Sequence, residues 1–366
     1  VRATPDKTGY IMGLFLTACA LVLSFCGNAF AEIDSLPGDF IEIVSSKYGA
    51  TEEFFISAGG GAKRNPNPLE HYPVIMIPGN GRGRRDWLGA NCGNAEGDTN
   101  VYAKMIKYGF NPAELWLYQY TPEGKEMMNI ESLTDGLKKF IYAVSWYTGS
   151  NKVQFLAHGE GAVLAHATLK KYRLYSMVHK AVYIAAPFHG SFRYTYALAL
   201  EGSPVCANLT AGSAFLKDIA LPDETPFNAN EGEEAGVRKI EYLCIYNRLP
   251  GGDEFFFDNP LSAALSGALN YEFNAYNHDG LRTAKKTSDI FIPFLAAGVP
   301  QYQIGTDADK DGYVSVTAGG TDCDDNDSAV YPGASEIPED GADQDCNGAD
   351  LLRIDGKDCL IPVKGR

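Results

Sequence analysis

Positive charge is scarce in this chain. Its 366 residues carry 31 Lys and Arg against 46 Asp and Glu, a formal net charge of -15. Binding to phosphate needs a basic face, so nucleic acid is excluded as a natural partner. Long apolar runs are scarce as well. The run from Ile11 to Phe25 falls short of the roughly 20 residues that a membrane helix needs. Core material is not lacking: 45% of residues are hydrophobic and 21% charged, which excludes a disordered or fibrous chain. The length suits one large domain plus a small one.

The N-terminus speaks to compartment. Lys7 precedes the apolar run, and Asn28-Ala29-Phe30-Ala31 follows it. A basic start, a short apolar core and an A-x-A ending form the pattern of a secretory signal peptide. Cleavage is expected after Ala31, with export to the extracellular space or cell surface. The competing readings are a membrane anchor and a lipid anchor on Cys26, where Phe25 is too large for the usual small residue. Beyond residue 31 remain Cys92, Cys206, Cys244, Cys323, Cys346 and Cys359. Export makes disulfides permissible. Cys323 and Cys346 lie in a stretch with little core, where a staple has a physical purpose. Cys244 sits in an apolar run and is as readily a buried thiol. The pairing of Cys92, Cys206 and Cys359 stays open.

Along the chain, apolar strand patterns alternate with helical ones. Strand-like pieces occur at Phe54–Ile56, and Val74–Ile77 reads as a fully buried parallel strand. Further strands are expected at Glu114–Tyr118, Val153–Ala157, Ala181–Ala185 and Lys239–Tyr246. Helices are expected around Val101–Tyr108, Ile130–Tyr147 and Val163–Tyr172. This alternation predicts an α/β fold with a doubly wound, mostly parallel sheet. Residues 192–238 carry no clear strand and read as an insertion capping the active end of the sheet. Apolar periodicity stops near Gly298-Val299-Pro300. The expected layout is a signal peptide at 1–31, an extension at 32–69, the α/β domain at 70–298, and a small irregular acidic module at 303–366.

The segment Val153 to Ala162 runs from a strand through His158-Gly159-Glu160-Gly161 into a helix. Small residues there let a strained turn lift one side chain above a sheet, the geometry of a nucleophile elbow. The nucleophile position holds Gly159, which has no side chain, so no covalent acyl intermediate can form there. Pro78-Gly79-Asn80-Gly81, after the first strong strand, places the Asn80 amide to form an oxyanion hole with the amide of Glu160. Asp253 follows a later strand, and His278 sits in a Gly/Asn/Asp loop. The chain order of elbow, acid and histidine is the order of an α/β-hydrolase triad.

These stretches, with Tyr72–Gly81, Phe140–Val153 and Ala185–Ser191, resemble the class 2 lipases and the related extracellular polyhydroxybutyrate depolymerases over roughly residues 70–295. The resemblance implies an α/β-hydrolase fold, an acyl-ester lipid or polyester as substrate or ligand, and Asp253 and His278 as acid and histidine of a former or cryptic triad. Ser191 matches a structural lipase motif and is not a nucleophile candidate. The departure at Gly159 points to a pseudoenzyme or very weak enzyme. The alternatives are an active carboxylester hydrolase in which His278 activates water directly, and a calcium-dependent surface or adhesive protein.

The last stretch holds most of the negative charge: from Gln303 onward there are 15 Asp and Glu against 5 Lys and Arg. Asp307, Asp309 and Asp311 alternate ahead of Gly312, the first half of an EF-hand-like loop with the Tyr313 carbonyl in seventh place. The twelfth position is Ala318, so a complete EF-hand is excluded and further charge must come from Asp322, Asp324, Asp327, Asp343 and Asp345. Hard oxygen donors favour Ca²⁺ over zinc or copper. Residues 305–349 resemble a metal-binding repeat of secreted bacterial proteins, and a Cys323–Cys346 disulfide is expected to hold it.

Overall fold

In the computed structural model, the described residues are 36–48, 59–61, 69–89, 99–121, 129–226, 240–249, 252–253, 258–298, 307–316, 320–354 and 357–362. The expected leader, Phe54–Ile56, Cys92 and all but Gly298 of the expected boundary at 298–303 lie outside them, and so does the side chain of Cys359.

Seven strands form one sheet in the order β1-β3-β2-β4-β5-β6-β7. They are β1 (Gly59–Gly60), β2 (Val74–Ile77), β3 (Leu115–Leu117), β4 (Val153–His158), β5 (Val178–Ile184), β6 (Glu241–Asn247) and β7 (Leu269–Phe273). Only the β1–β3 pair is antiparallel; every other pair is parallel. The central strands β2, β4 and β5 are buried at every position. That burial explains the continuous apolar run of β2 and the largely apolar character of β4 and β5.

Eleven-residue α1 (Gly38–Tyr48) precedes the sheet, in a stretch where the sequence pattern predicted no helix. Next come α2 (Val101–Tyr108), α3 (Ile130–Thr148) and α4 (Glu160–Lys171). Asn100 caps α2 by accepting from the Ala103 amide, and Asn129 caps α3 by accepting from the Glu131 amide. Gly149, left-handed at φ 69°, closes α3. Phe40 of α1 packs 4.8 Å from Trp116 and edge-on to Tyr147, joining α1 to the core.

The insertion expected at 192–238 contains no strand among its described residues and folds as α5 (Phe192–Glu201), α6 (Pro204–Leu209) and α7 (Ala214–Ala220). Two helices follow β7: α8 (His278–Thr283) and α9 (Lys285–Ala296). The acidic module is mostly turns, held by a Cys323–Cys346 disulfide. It ends in an antiparallel hairpin that the sequence reading missed, β8 (Ala349–Ile354) and β9 (Lys357–Pro362). Cys206 is buried, and Cys244 is a buried free thiol. No helix among the described residues is long and apolar enough to cross a membrane.

Candidate active site and metal centre

The elbow lies where β4 meets α4. Gly159 has φ 55° and ψ -130°, a region that side chains rarely enter. Its N–H donates to the Ile184 carbonyl at 2.9 Å, and its carbonyl accepts from the Ala162 amide at 3.1 Å. The turn is thus tied to β5 on one side and to α4 on the other. Gly161 is needed for a different reason: a Cβ there would run into the Pro78 carbonyl. The close approach of α4 to the end of β2 therefore admits only glycine.

Asp253 and His278 come together as the sequence order predicted. His278 Nδ1 donates to Asp253 Oδ2 at 3.0 Å, and Asp253 is 2% exposed. His278 opens α8, whose cap is Asn277, accepting from the Gly280 amide. The loop is fixed by Asn247 of β6, which donates to the Tyr276 carbonyl at 2.6 Å. Burial pushes the His278 pKa down, but the hydrogen bond and charge of Asp253, with Glu160 and Asp279 beyond, outweigh it and raise it above 6.5. With Nδ1 committed to Asp253, Nε2 is the basic nitrogen.

That nitrogen faces the elbow. A Cβ built on Gly159 would sit 3.2 Å from His278 Nε2 and 3.7 Å from the Gly79 Cα. A side chain at 159 would therefore point at the base.

His158 was read only as part of the elbow pattern, and it does more. Its Nε2 is 3.2 Å from the His278 carbonyl, and the two rings lie 4.4 Å apart. Burial, with the charges of His278 and Arg282, pushes its pKa well down. The neutral ring can donate to that carbonyl and hold the His278 backbone in place. The histidine loop has a further anchor in the buried Arg282–Asp86 ion pair at 2.8 Å.

The oxyanion expectation needs a correction. The Asn80 amide is beside the elbow, but it donates to Glu160 Oε2 at 3.3 Å. The other carboxylate oxygen accepts from the Tyr194 hydroxyl at 2.7 Å. Glu160 thus brings its carboxylate, as well as its backbone, to this position. Ser191 is not near the base; it donates to Asp258 at 2.8 Å and fixes the start of α5.

The acidic module builds two separate clusters. Asp307, Asp309 and Asp311 converge, and Asp309 also meets Asp322 and Asp325, with candidate ligand atoms within 4.8 Å of one another. Glu336, Asp343 and Asp345 form the second. Asp325 and Glu336 were not among the expected ligands. Asp324 and Asp327 belong to neither cluster; they close a local turn, the Asp327 amide donating to the Asp324 carbonyl at 3.0 Å. The Tyr313 side chain docks on α1, its hydroxyl bonded to that of Tyr48.

The loops at 307–312 and 343–348 share one geometry. Gly312 N donates to Asp307 Oδ2 at 2.9 Å, and Gly348 N to Asp343 Oδ2 at 2.8 Å. The fourth residue of each, Lys310 or Cys346, is left-handed at φ 68° or 55°. The donor set fits a cation. Asp322 is fully buried, and Oδ2 atoms of Asp309, Asp311 and Asp322 are sequestered without a hydrogen-bond partner. Burial, reinforced by the neighbouring acids, raises Asp311 to about 6 and Asp322 to about 7. Asp345 rises to about 7 for the same reason, with Glu336 beside it. A divalent ion would reverse that penalty.

Residues 71–221 match the family model Lipase (class 2). Residues 322–350 match Cu-binding MopE, described as a putative metal-binding motif. Among solved structures, the fold is similar to Aspergillus fumigatus lipase B, with 16% identity, a TM-score of 0.53, and coverage of 69% of this chain and 59% of that one. The propeptide form of Bacillus licheniformis lipase BlEst2 is 17% identical with a TM-score of 0.49, covering 68% of this chain and 55% of that one. The chain thus spans under two-thirds of the length of both. No curated protein matched the sequence. The sheet order and the likeness to Aspergillus fumigatus lipase B show an α/β-hydrolase fold, within which residues 71–221 match the class 2 lipase model and residues 322–350 match the metal-binding motif.

Proposed function

We propose that the lipase-type cleft binds acyl esters, of a lipid or a polyester, and that no acyl-enzyme forms at residue 159, leaving little or no turnover. The observation that carries this is the 3.2 Å between His278 Nε2 and the Cβ position of Gly159. Acid and base are assembled, and the group for them to activate is absent. A base so placed can still deprotonate water, and this supports the second reading, a weak direct hydrolysis. Its ceiling is low: with a triad member gone, at most about 10³–10⁴-fold over water remains, and here the Asn80 amide is already engaged by Glu160.

The test is hydrolysis of short p-nitrophenyl esters. The natural chain is expected near background, and Gly159→Ser well above it. Serine's oxygen would lie within the roughly 2.6–3.2 Å reach of the base once the imidazole yields by a few tenths of an ångström. Robust hydrolysis by the natural chain that disappears in His278→Ala would replace this reading with the active-hydrolase one.

The acidic module is assigned to Ca²⁺. All six His and all six Met of the chain precede residue 303, so the module offers no imidazole or thioether. Its Cys323 and Cys346 sulfurs are joined to each other. Copper selects such softer donors, whereas the carboxylates suit a hard cation. The leader at 1–31, the division into 70–298 and 303–366, and export belong to the same proposal. N-terminal sequencing of secreted protein should read Glu-Ile-Asp, and retention of residues 1–31 in a membrane fraction would overturn export.

A further inference from the structure

The Glu160 carboxylate occupies an unusual place. It belongs to the residue after the nucleophile position, at the N-terminal end of α4. Anions are favoured at such an end by the helix dipole and its unpaired amides. Here the side chain itself supplies the negative charge. One oxygen accepts from the Asn80 amide at 3.3 Å, and the other from Tyr194 at 2.7 Å. Glu160 is 7% exposed and Tyr194 6%. Burial and the Glu160 charge raise the Tyr194 pKa well above its ordinary value, so its hydroxyl keeps its proton and donates.

The contact joins two elements. Asn80 comes from the turn after β2, while Tyr194 comes from α5 of the cap. The start of α5 is pinned in turn: Ser191 Oγ and the Phe192 amide both donate to Asp258, at 2.8 and 2.7 Å. Glu160 is therefore held between the turn after β2 and α5. A second buried carboxylate, Asp253, lies behind His278.

We propose that Glu160 sets the charge selectivity of the cleft: its carboxylate, seated on the Asn80 amide and tethered by Tyr194, takes the place of an anionic ligand oxygen, so the cleft accepts neutral acyl esters and rejects free carboxylates. This rests on the ester-binding reading above. A neutral ester carbonyl can approach without meeting a like charge. A fatty acid anion must come up against Glu160 at a buried position, where like charges repel with little screening by water. The cleft would thus release an acid product that an anion-accepting oxyanion hole would hold.

The experiment is calorimetric titration of the whole chain, and of Glu160→Gln, with methyl octanoate and with octanoate. The natural chain is expected to bind the ester at least about tenfold more tightly than the acid anion, and Glu160→Gln to shrink that ratio by about tenfold. Tyr194→Phe, which keeps the carboxylate but cuts its tether, should shrink it less. Equal affinities for ester and anion in the natural chain would overturn the inference without any variant. An unchanged ratio in folded Glu160→Gln would overturn it too. If neither compound binds the natural chain, the ester-binding reading fails first, and the selectivity with it.

Discussion

His278 is pulled in two directions. Its burial favours the neutral ring, while Asp253, Glu160 and Asp279 favour the charged one, and the carboxylates win. An imidazole whose folded pKa lies above its unfolded value of 6.5 adds stability that is complete below that pH. This stability drains away as pH rises through the folded pKa. Asp253→Asn removes the hydrogen-bonded charge and leaves the burial, so its His278 should titrate lower. NMR of the imidazole carbons checks both statements, and a natural His278 titrating below 6.5 would contradict them. Asp253 and His278 were legible from chain order: Asp253 follows an apolar strand, and His278 lies in a segment rich in Asn, Asp and Gly. The second role of Glu160 was not legible. Its partners Asn80 and Tyr194 stand 80 and 34 residues away, and only the fold brings them to one carboxylate. The metal ligands divide in the same way. Alternate spacing exposed Asp307, Asp309, Asp311, Asp343 and Asp345, whereas Asp325 and Glu336 reach their clusters through turns that carry no such period.

Elements were readable where burial was symmetrical. The runs Val74–Ile77 and Val153–His158 are buried on both faces, and a continuous apolar string is the expected signature. β7 was missed for the opposite reason: it is the sheet edge, Leu269 and Tyr271 are exposed, and no apolar face remains to be seen. α1 was obscured because its buried stripe, Phe40, Val44 and Tyr48, is blurred by the partly buried Ile41 and Ile43 beside it. Two element-level substitutions test the packing around the site. Gly161→Val would force α4 away from the Pro78 carbonyl, and overpacking of this kind costs about 1–3 kcal/mol. Arg282→Ala would leave Asp86 buried without its partner. Burial already outweighs the Arg282 charge in raising the Asp86 pKa. Breaking such a pair costs about 3–5 kcal/mol. Denaturant midpoints should fall for both variants; an unchanged midpoint for Arg282→Ala would show that the pair does not anchor α8.

At the scale of the whole chain, the acidic stretch meets the α/β fold through an interface built by a candidate cation loop itself. Lys47 of α1 donates to the Asp311 carbonyl, and its ammonium lies 4.5 Å from the ring centres of both Tyr313 and Tyr331. Trp146 of α3 flanks it at 5.6 Å. The hydroxyls of Tyr48 and Tyr313 meet nearby, with Tyr313 wholly buried. Asp311, Gly312 and Tyr313 are successive residues of the candidate cation loop, so ordering that loop also orders the surface that grips α1. A ligand that binds the folded state alone stabilises it by about 2.7 kcal/mol at a hundred times its Kd. That gain should reach the hydrolase domain rather than stop at the module. The chain offers a selective reporter, because its three tryptophans, Trp87, Trp116 and Trp146, all precede the module. Melting followed by tryptophan fluorescence should shift upward in millimolar calcium and downward in chelator. Asp309→Asn should weaken the calcium response, since Asp309 belongs to both triplets of the first cluster. Lys47→Ala should lower the coupling while leaving the carboxylates of the loop in place. A tryptophan melt indifferent to calcium, beside a module that responds to it, would mean that the two parts are only neighbours.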